Sequence, residues 1–158
     1  MTTIRLRTAI DAPVERWFDL ARSVDLHLRS TSRTRERAVA GVTRGLLGKG
    51  DRVTWEAVHF GLRWRMTVRI TRFEPPTRFV DEMVRGPFRA MRHVHDFERR
   101  GRGTLMRDSF RYVLPLGPCT WYYRVRGLNA FIPGTRPLMS WSAPTKVVVA
   151  RPTFRVVG

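Results

Sequence analysis

From residue 91 to residue 114 the chain alternates apolar and polar positions. Met91, His93, His95 and Phe97 share one parity, while Arg92, Asp96 and Glu98 take the other. Beyond the turn signal Arg100-Gly101-Arg102-Gly103, Met106, Phe110, Tyr112 and Leu114 alternate with Arg107, Ser109 and Arg111. A period of two predicts two half-buried strands joined as a hairpin. Pairing Arg99 with Thr104 across the loop sets Phe97 opposite Met106, His95 opposite Asp108, His93 opposite Phe110 and Met91 opposite Tyr112. A slip of one residue would turn these side chains onto unlike faces. The same reasoning carries back through Gly86-Pro87-Phe88 to a strand from Arg78 to Arg85 and puts Asp81 beside His93. Asp81, His93, His95 and Asp108 then form a polar ladder inside an apolar face, and inward polar groups are costly unless partnered.

The rest of the chain fits around this hairpin. Ile4, Leu6 and Ile10 alternate with Arg5, Arg7 and Ala9, which predicts a first strand. Asp11-Ala12-Pro13 reads as a helix entry, with Asp11 able to accept from free amides and Pro13 preset for the first turn. Val14, Trp17, Phe18 and Ala21 form the stripe of a short helix, and Ser23 is placed to cap a second one through Val24, Leu26 and Leu28. A strand is expected over residues 37–42. Next come Val53, Trp55, Ala57 and His59 on one face and Leu62, Trp64, Met66, Val68 and Ile70 on another, with Phe60-Gly61 as the turn between. The expected order is one strand, two helices, then about six consecutive antiparallel strands, an α+β pattern. Gly41, Gly45, Gly48 and Gly50 do not make a phosphate loop, because neither a strand-to-helix context nor a Lys-Ser/Thr ending accompanies them.

After Pro115 the pattern changes. Trp121, Val125, Leu128 and Ile132 are spaced for one helical face, and Pro133-Gly134 ends it. From Cys119 to Gly158 there are six basic residues, four prolines and no acid. Residues 1–132 are therefore read as one domain and 133–158 as an irregular, basic, proline-containing tail. Trp141 and residues 147–149 in that tail are available to a partner or a sheet edge, and the oligomeric state is left open.

The formal net charge of +17 raises the question of nucleic acid or anionic membranes. Of the thirty Lys and Arg residues only Lys49 and Lys146 are lysines, a skew of the kind that codon bias produces. Many of the arginines alternate along strands with no aromatic platform between them, which predicts a solvated face and weak attraction to anionic surfaces rather than specific nucleic-acid binding. The lone Cys119 excludes an intramolecular disulfide and is read as a structural thiol. No signal-peptide pattern and no window of about 20 apolar residues is present, so a cytoplasmic chain without a transmembrane segment is expected.

The segments IDAPVERWFDLA, GDRVTWEAVHFG, FVDEMVRGPFRAMRHVHDFE and GTLMRDSFRYVLPLGP together resemble the START-like superfamily, whose bacterial members include the SRPBCC or polyketide cyclase/dehydrase-like proteins. The likeness spans residues 1–118. It implies a helix-grip fold, in which a curved antiparallel sheet wraps a C-terminal helix, shortened here to residues 120–132, over a deep cavity for a hydrophobic ligand. Members carry lipids, sterols, plant hormones or polyketides, and a few catalyse cyclisation.

Three chemistries are open to the inward residues. In a binding module Trp55, Trp64, Met66, Met83, Met91, Phe97, Phe110 and Tyr112 line an apolar pocket, and His59, Asp81, His93, His95 and Asp108 orient a lipid, polyketide or isoprenoid-like ligand. In a cyclase or dehydratase, His95 held by Asp108 serves as general acid/base. In a metal site His93 and His95, two apart on one strand, chelate with Asp81 or Asp108. Mutually satisfied ion pairs are the plainer account of those four residues, so neither a metal nor another cofactor is expected. Binding of a hydrophobic small molecule is the leading expectation.

Overall fold

The computed structural model describes residues 1–31, 36–59, 62–115 and 153–157. Its elements are β1 (Thr2–Ile10), α1 (Val14–Ala21), α2 (Val24–Ser30), β2 (Arg37–Gly41), β3 (Arg52–His59), β4 (Leu62–Glu74), β5 (Arg78–Arg85), β6 (Ala90–Arg100), β7 (Gly103–Val113) and β8 (Thr153–Val157). The eight strands form one sheet in the order β2-β3-β4-β5-β6-β7-β1-β8. All neighbours are antiparallel.

Hairpin connections place β2 to β7 side by side, and the two helices return the chain from β1 across one face of the sheet. The side chains that alternate inward on the strands meet the apolar stripe of α1, Val14, Trp17 and Phe18, which packs over β6 and β7. Phe18 is the centre of this contact. It is 1% exposed, and its ring lies 5.6 Å from Phe73, 5.6 Å from Phe79 and 5.4 Å from Phe97. Trp17 Nε1 donates to Met106 Sδ at 3.1 Å, tying the same helix to β7.

The helix ends differ from expectation at Asp11 and at Pro13, which precedes the first turn rather than lying in it. Ser23 caps α2, its hydroxyl accepting from the Leu26 amide at 3.2 Å. Asp11, in contrast, caps nothing: α1 begins at Val14 with Pro13 in the cap position and no side-chain cap. Asp11 lies two residues ahead of that position, out of register with the first free amides.

On the outer face the arginines are interleaved with acids. Glu56 is covered by Arg37 and Arg65, each at 2.8 Å, and both guanidinium groups hold its carboxyl below its ordinary range. Arg92 pairs with Glu82 at 3.0 Å, Arg78 with Asp96, and Arg107 with Glu98. The alternating arginines are thus a solvent face partly neutralised by its own cross-strand partners.

The helix expected over 120–132, together with Cys119, Trp141 and residues 147–149, lies outside the described residues. One part of the expected irregular tail is corrected: Thr153–Val157 is a strand, paired with β1 through Thr3↔Val157 to Arg7↔Thr153. Thr, Phe and Val favour extended backbone, and β1 would otherwise present an unpaired row of amides and carbonyls. Among the described residues no helix is long and apolar enough to cross a membrane.

Candidate functional site

The register of three adjacent strands assembles the polar cluster. His95 pairs with Asp108 and His93 with Phe110 across β6 and β7, and Asp81 pairs with His93 across β5 and β6. The turn around Gly101, whose φ is +59°, closes the β6–β7 hairpin tightly enough to lock that pairing. Asp81, His93, His95 and Asp108 therefore point the same way, onto the face that carries the core.

Their side-chain contacts form a closed ring. His95 Nε2 lies 3.0 Å from Asp81 Oδ1, and His95 Nδ1 lies 2.8 Å from Asp108 Oδ1. His93 Nδ1 is 3.8 Å from Asp81 Oδ1, and His93 Nε2 is 3.4 Å from Asp108 Oδ1. The contact of His95 with Asp81 is an aligned hydrogen bond, whereas that with Asp108 is a close ionic contact without hydrogen-bond alignment. The imidazole rings lie 3.8 Å apart, with Phe79 4.2 Å from His95 and Phe110 5.3 Å from His93. The cluster is thus clamped between two aromatic rings.

Electrostatics follow from this packing. Burial alone would pull the His95 imidazole down, but contacts with Asp108 and Asp81 overcome it and raise its pKa to about 9. Burial works to raise both carboxyls, and the facing imidazoles reverse it. Asp108 is held well below the usual range by His93 and His95, and Asp81 is lowered by His95 and His93 with a smaller contribution from His27. In a metal-free protein at neutral pH, His95 is an imidazolium between two carboxylates.

The apolar residues expected around the cluster divide into two sets. Met91, Phe110 and Tyr112 are buried beside it, with Phe88 joining Phe110 and Tyr112 at ring separations of 6.3 and 5.4 Å. Trp64, Met66 and Met83 are half-buried on β4 and β5. Trp55, opposite Met66, is buried. Phe97 is also buried and sits beneath α1 against Phe18. His59 ends β3, and its side chain lies outside the described residues.

Sequence reasoning missed a second polar pair. His27 lies tilted against Trp55 at a ring separation of 4.1 Å, and its Nε2 lies 3.4 Å from Oε2 of the buried Glu36. Val24, His27, Leu28 and Thr31 follow helical spacing on α2, which marks His27 as inward-facing; nothing in the local pattern marks Glu36.

Among solved structures the chain is similar to TTHA0849 from Thermus thermophilus, with a TM-score of 0.62 and 22% identity over 82% of this chain and 87% of that one. It is also similar to Ms6760 from Mycobacterium smegmatis, with a TM-score of 0.59 and 15% identity over 80% and 81% of the two chains. The major latex-like protein 151 of Panax ginseng gives a TM-score of 0.52 and 12% identity over 82% and 95%. At these identities the likeness is one of fold. The antiparallel sheet with two helices after its first strand agrees with the helix-grip arrangement that the START-like resemblance implies. No protein-family model matches the sequence, and no curated protein does.

Proposed function

We propose that the protein binds a hydrophobic small molecule, of lipid, polyketide or isoprenoid-like character, on the inner face of its sheet. The apolar body lies along Trp64, Met66, Met83 and Met91, and an oxygen-bearing end meets the Asp81, His93, His95 and Asp108 cluster. One observation carries this reading: four ionisable side chains from three strands converge on an apolar face between Phe79 and Phe110. Buried ion pairs seldom outdo well-packed apolar residues in stability, so their inward placement points to a polar task. The four side chains keep 11–22% of their surface, with His95 Nδ1 and Asp108 Oδ1 themselves enclosed. The reading includes a cytoplasmic location, no specific nucleic acid and only weak attraction to anionic surfaces.

Met83→Glu tests it. Met83 is half-buried, so a carboxylate there is tolerable for folding but hostile to an apolar ligand. Affinity for a fluorescent fatty acid should fall at least about tenfold while the unfolding midpoint holds; unchanged affinity would refute the placement.

A cyclase or dehydratase is the second reading, favoured by the protonated state of His95. There His95 would give its proton to a carbonyl oxygen or departing hydroxyl while Asp81 would remove a proton from the carbon beside that carbonyl. His95→Gln should then keep ligand affinity and lose turnover of a polyketide-like substrate, and retained turnover would remove the reading.

A further inference from the structure

The four-residue cluster has a geometry that a simple pair of ion pairs does not require. Each imidazole turns one nitrogen toward Asp81 and the other toward Asp108: His95 uses Nε2 and Nδ1, His93 uses Nδ1 and Nε2. One carboxylate thus faces one edge of both rings, and the second carboxylate faces the opposite edges. Metal sites repeatedly show this division, with one ring nitrogen on the ion and the other donating its N–H to an outer carboxylate that fixes tautomer and orientation.

We infer that Asp81 Oδ1, His93 Nδ1 and His95 Nε2 form a facial site for a divalent transition-metal ion of the zinc class, with Asp108 as the outer carboxylate positioning both imidazoles. Three lines of geometry support it. One ligand atom each from Asp81, His93 and His95 lies within 4.8 Å of the others. The Asp81 oxygen stands 3.0 Å from His95 Nε2 and 3.8 Å from His93 Nδ1. Those values bracket the roughly 3.3 Å between donor atoms when an ion holds N and O ligands at about 2.0–2.1 Å in a tetrahedron. Asp108 Oδ1 then faces the remaining nitrogen of each ring, 2.8 Å from His95 Nδ1 and 3.4 Å from His93 Nε2, placed for an outer carboxylate.

Charge and donor type agree with this assignment. Two carboxylates and two neutral imidazoles balance a dication, so the filled site would add no net charge to an apolar face. A donor set of two nitrogens and one oxygen suits zinc and its neighbours over calcium or magnesium, which prefer all-oxygen cages. Among the described residues no other group of three His, Cys, Asp or Glu side chains meets so closely. Three protein ligands leave coordination positions open on the inner face. The site goes beyond the proposed binding of a hydrophobic molecule and does not depend on it.

Zinc titration of the chelator-stripped full chain, followed by calorimetry, is the test, with no organic ligand present. One ion per chain should bind, His95→Gln should abolish binding, and Asp108→Asn should weaken it by about 10–100-fold. X-ray absorption of the zinc-loaded wild type gives a readout that needs no variant: its first shell should contain two imidazoles and otherwise only oxygen. Asp108→Asn should keep both imidazoles in that shell despite its lower affinity, which separates positioning from ligation. Absence of stoichiometric binding, a shell with fewer than two imidazoles, or sulfur from Cys119 would each overturn the site. Because no apolar ligand enters the experiment, its failure would leave the Met83→Glu result standing.

Discussion

Asp108 faces His95 directly across the β6–β7 ladder, its Oδ1 2.8 Å from the imidazole Nδ1. The pair exists because a short turn at Gly101 sets the register of two long strands, and Asp81 on β5 completes it from the other side. Backbone hydrogen bonding thereby fixes a charged group inside an apolar face with little freedom to leave its partners.

That arrangement predicts a two-sided pH dependence of stability in metal-free protein. The His95 pKa is raised from 6.5 to about 9, so its contribution is complete below 6.5 and is lost as pH rises through 9. Asp81 and Asp108 are lowered from 3.8, so their contributions are complete above that value and are lost as pH falls beneath it. Urea midpoints measured in the presence of chelator should be highest between these limits. A midpoint that climbs from pH 6.5 to 9 would contradict the assignment of His95 as an imidazolium.

Replacing Asp108 by Asn removes one of two anions from His95 and from His93. The His95 titration, followed by NMR of the imidazole carbons, should move from about 9 toward 6.5, with Asp81 preventing complete return. Leaving charge imperfectly matched at a buried site costs on the order of 3 kcal/mol, which denaturant unfolding would register. An unmoved titration would show that Asp81 alone holds the proton.

Phe18→Ala tests the junction of helix and sheet. The ring is 1% exposed and meets Phe73, Phe79 and Phe97, so its removal should cost roughly 3–5 kcal/mol in denaturant unfolding. Phe79 also stacks on His95, so loosening at Phe18 should reach the cluster and shift the His95 resonances.

Gly41→Ala tests the β2 edge. Gly41 has φ +74°, and a Cβ there would stand 2.1 Å from the Arg52 carbonyl oxygen. Both the strained backbone and the clash oppose alanine, at a cost above about 1 kcal/mol. Hydrogen exchange should accelerate at Val42, whose amide bonds to that same carbonyl at 2.8 Å, while amides of β6 and β7 stay protected.

Much of this was legible in the sequence because alternation is a strong signal when both strands of a hairpin carry it. The pairs Phe97 with Met106, His95 with Asp108 and Met91 with Tyr112 follow from parity and turn length alone, and Asp81 with His93 from one further turn. Parity does not encode rotamers, so the engagement of both nitrogens of each imidazole was not readable. The bulges between Ala38 and Ala40 and within β4–β5 also have no periodic signature. Glu36 was missed because its burial arises from contact with His27 on a neighbouring element. β8 pairs with β1 across more than a hundred residues of chain, a separation over which local pattern carries no register.

Native mass spectrometry of the full chain purified from its expressing cells, before and after incubation with a lipid extract, tests the central claim most directly. The account predicts a second species, heavier by one apolar molecule bearing an oxygen function, that disappears on denaturing extraction and is reduced in Met83→Glu. Only the mass of the bare chain, with or without one metal ion, in both samples would contradict it.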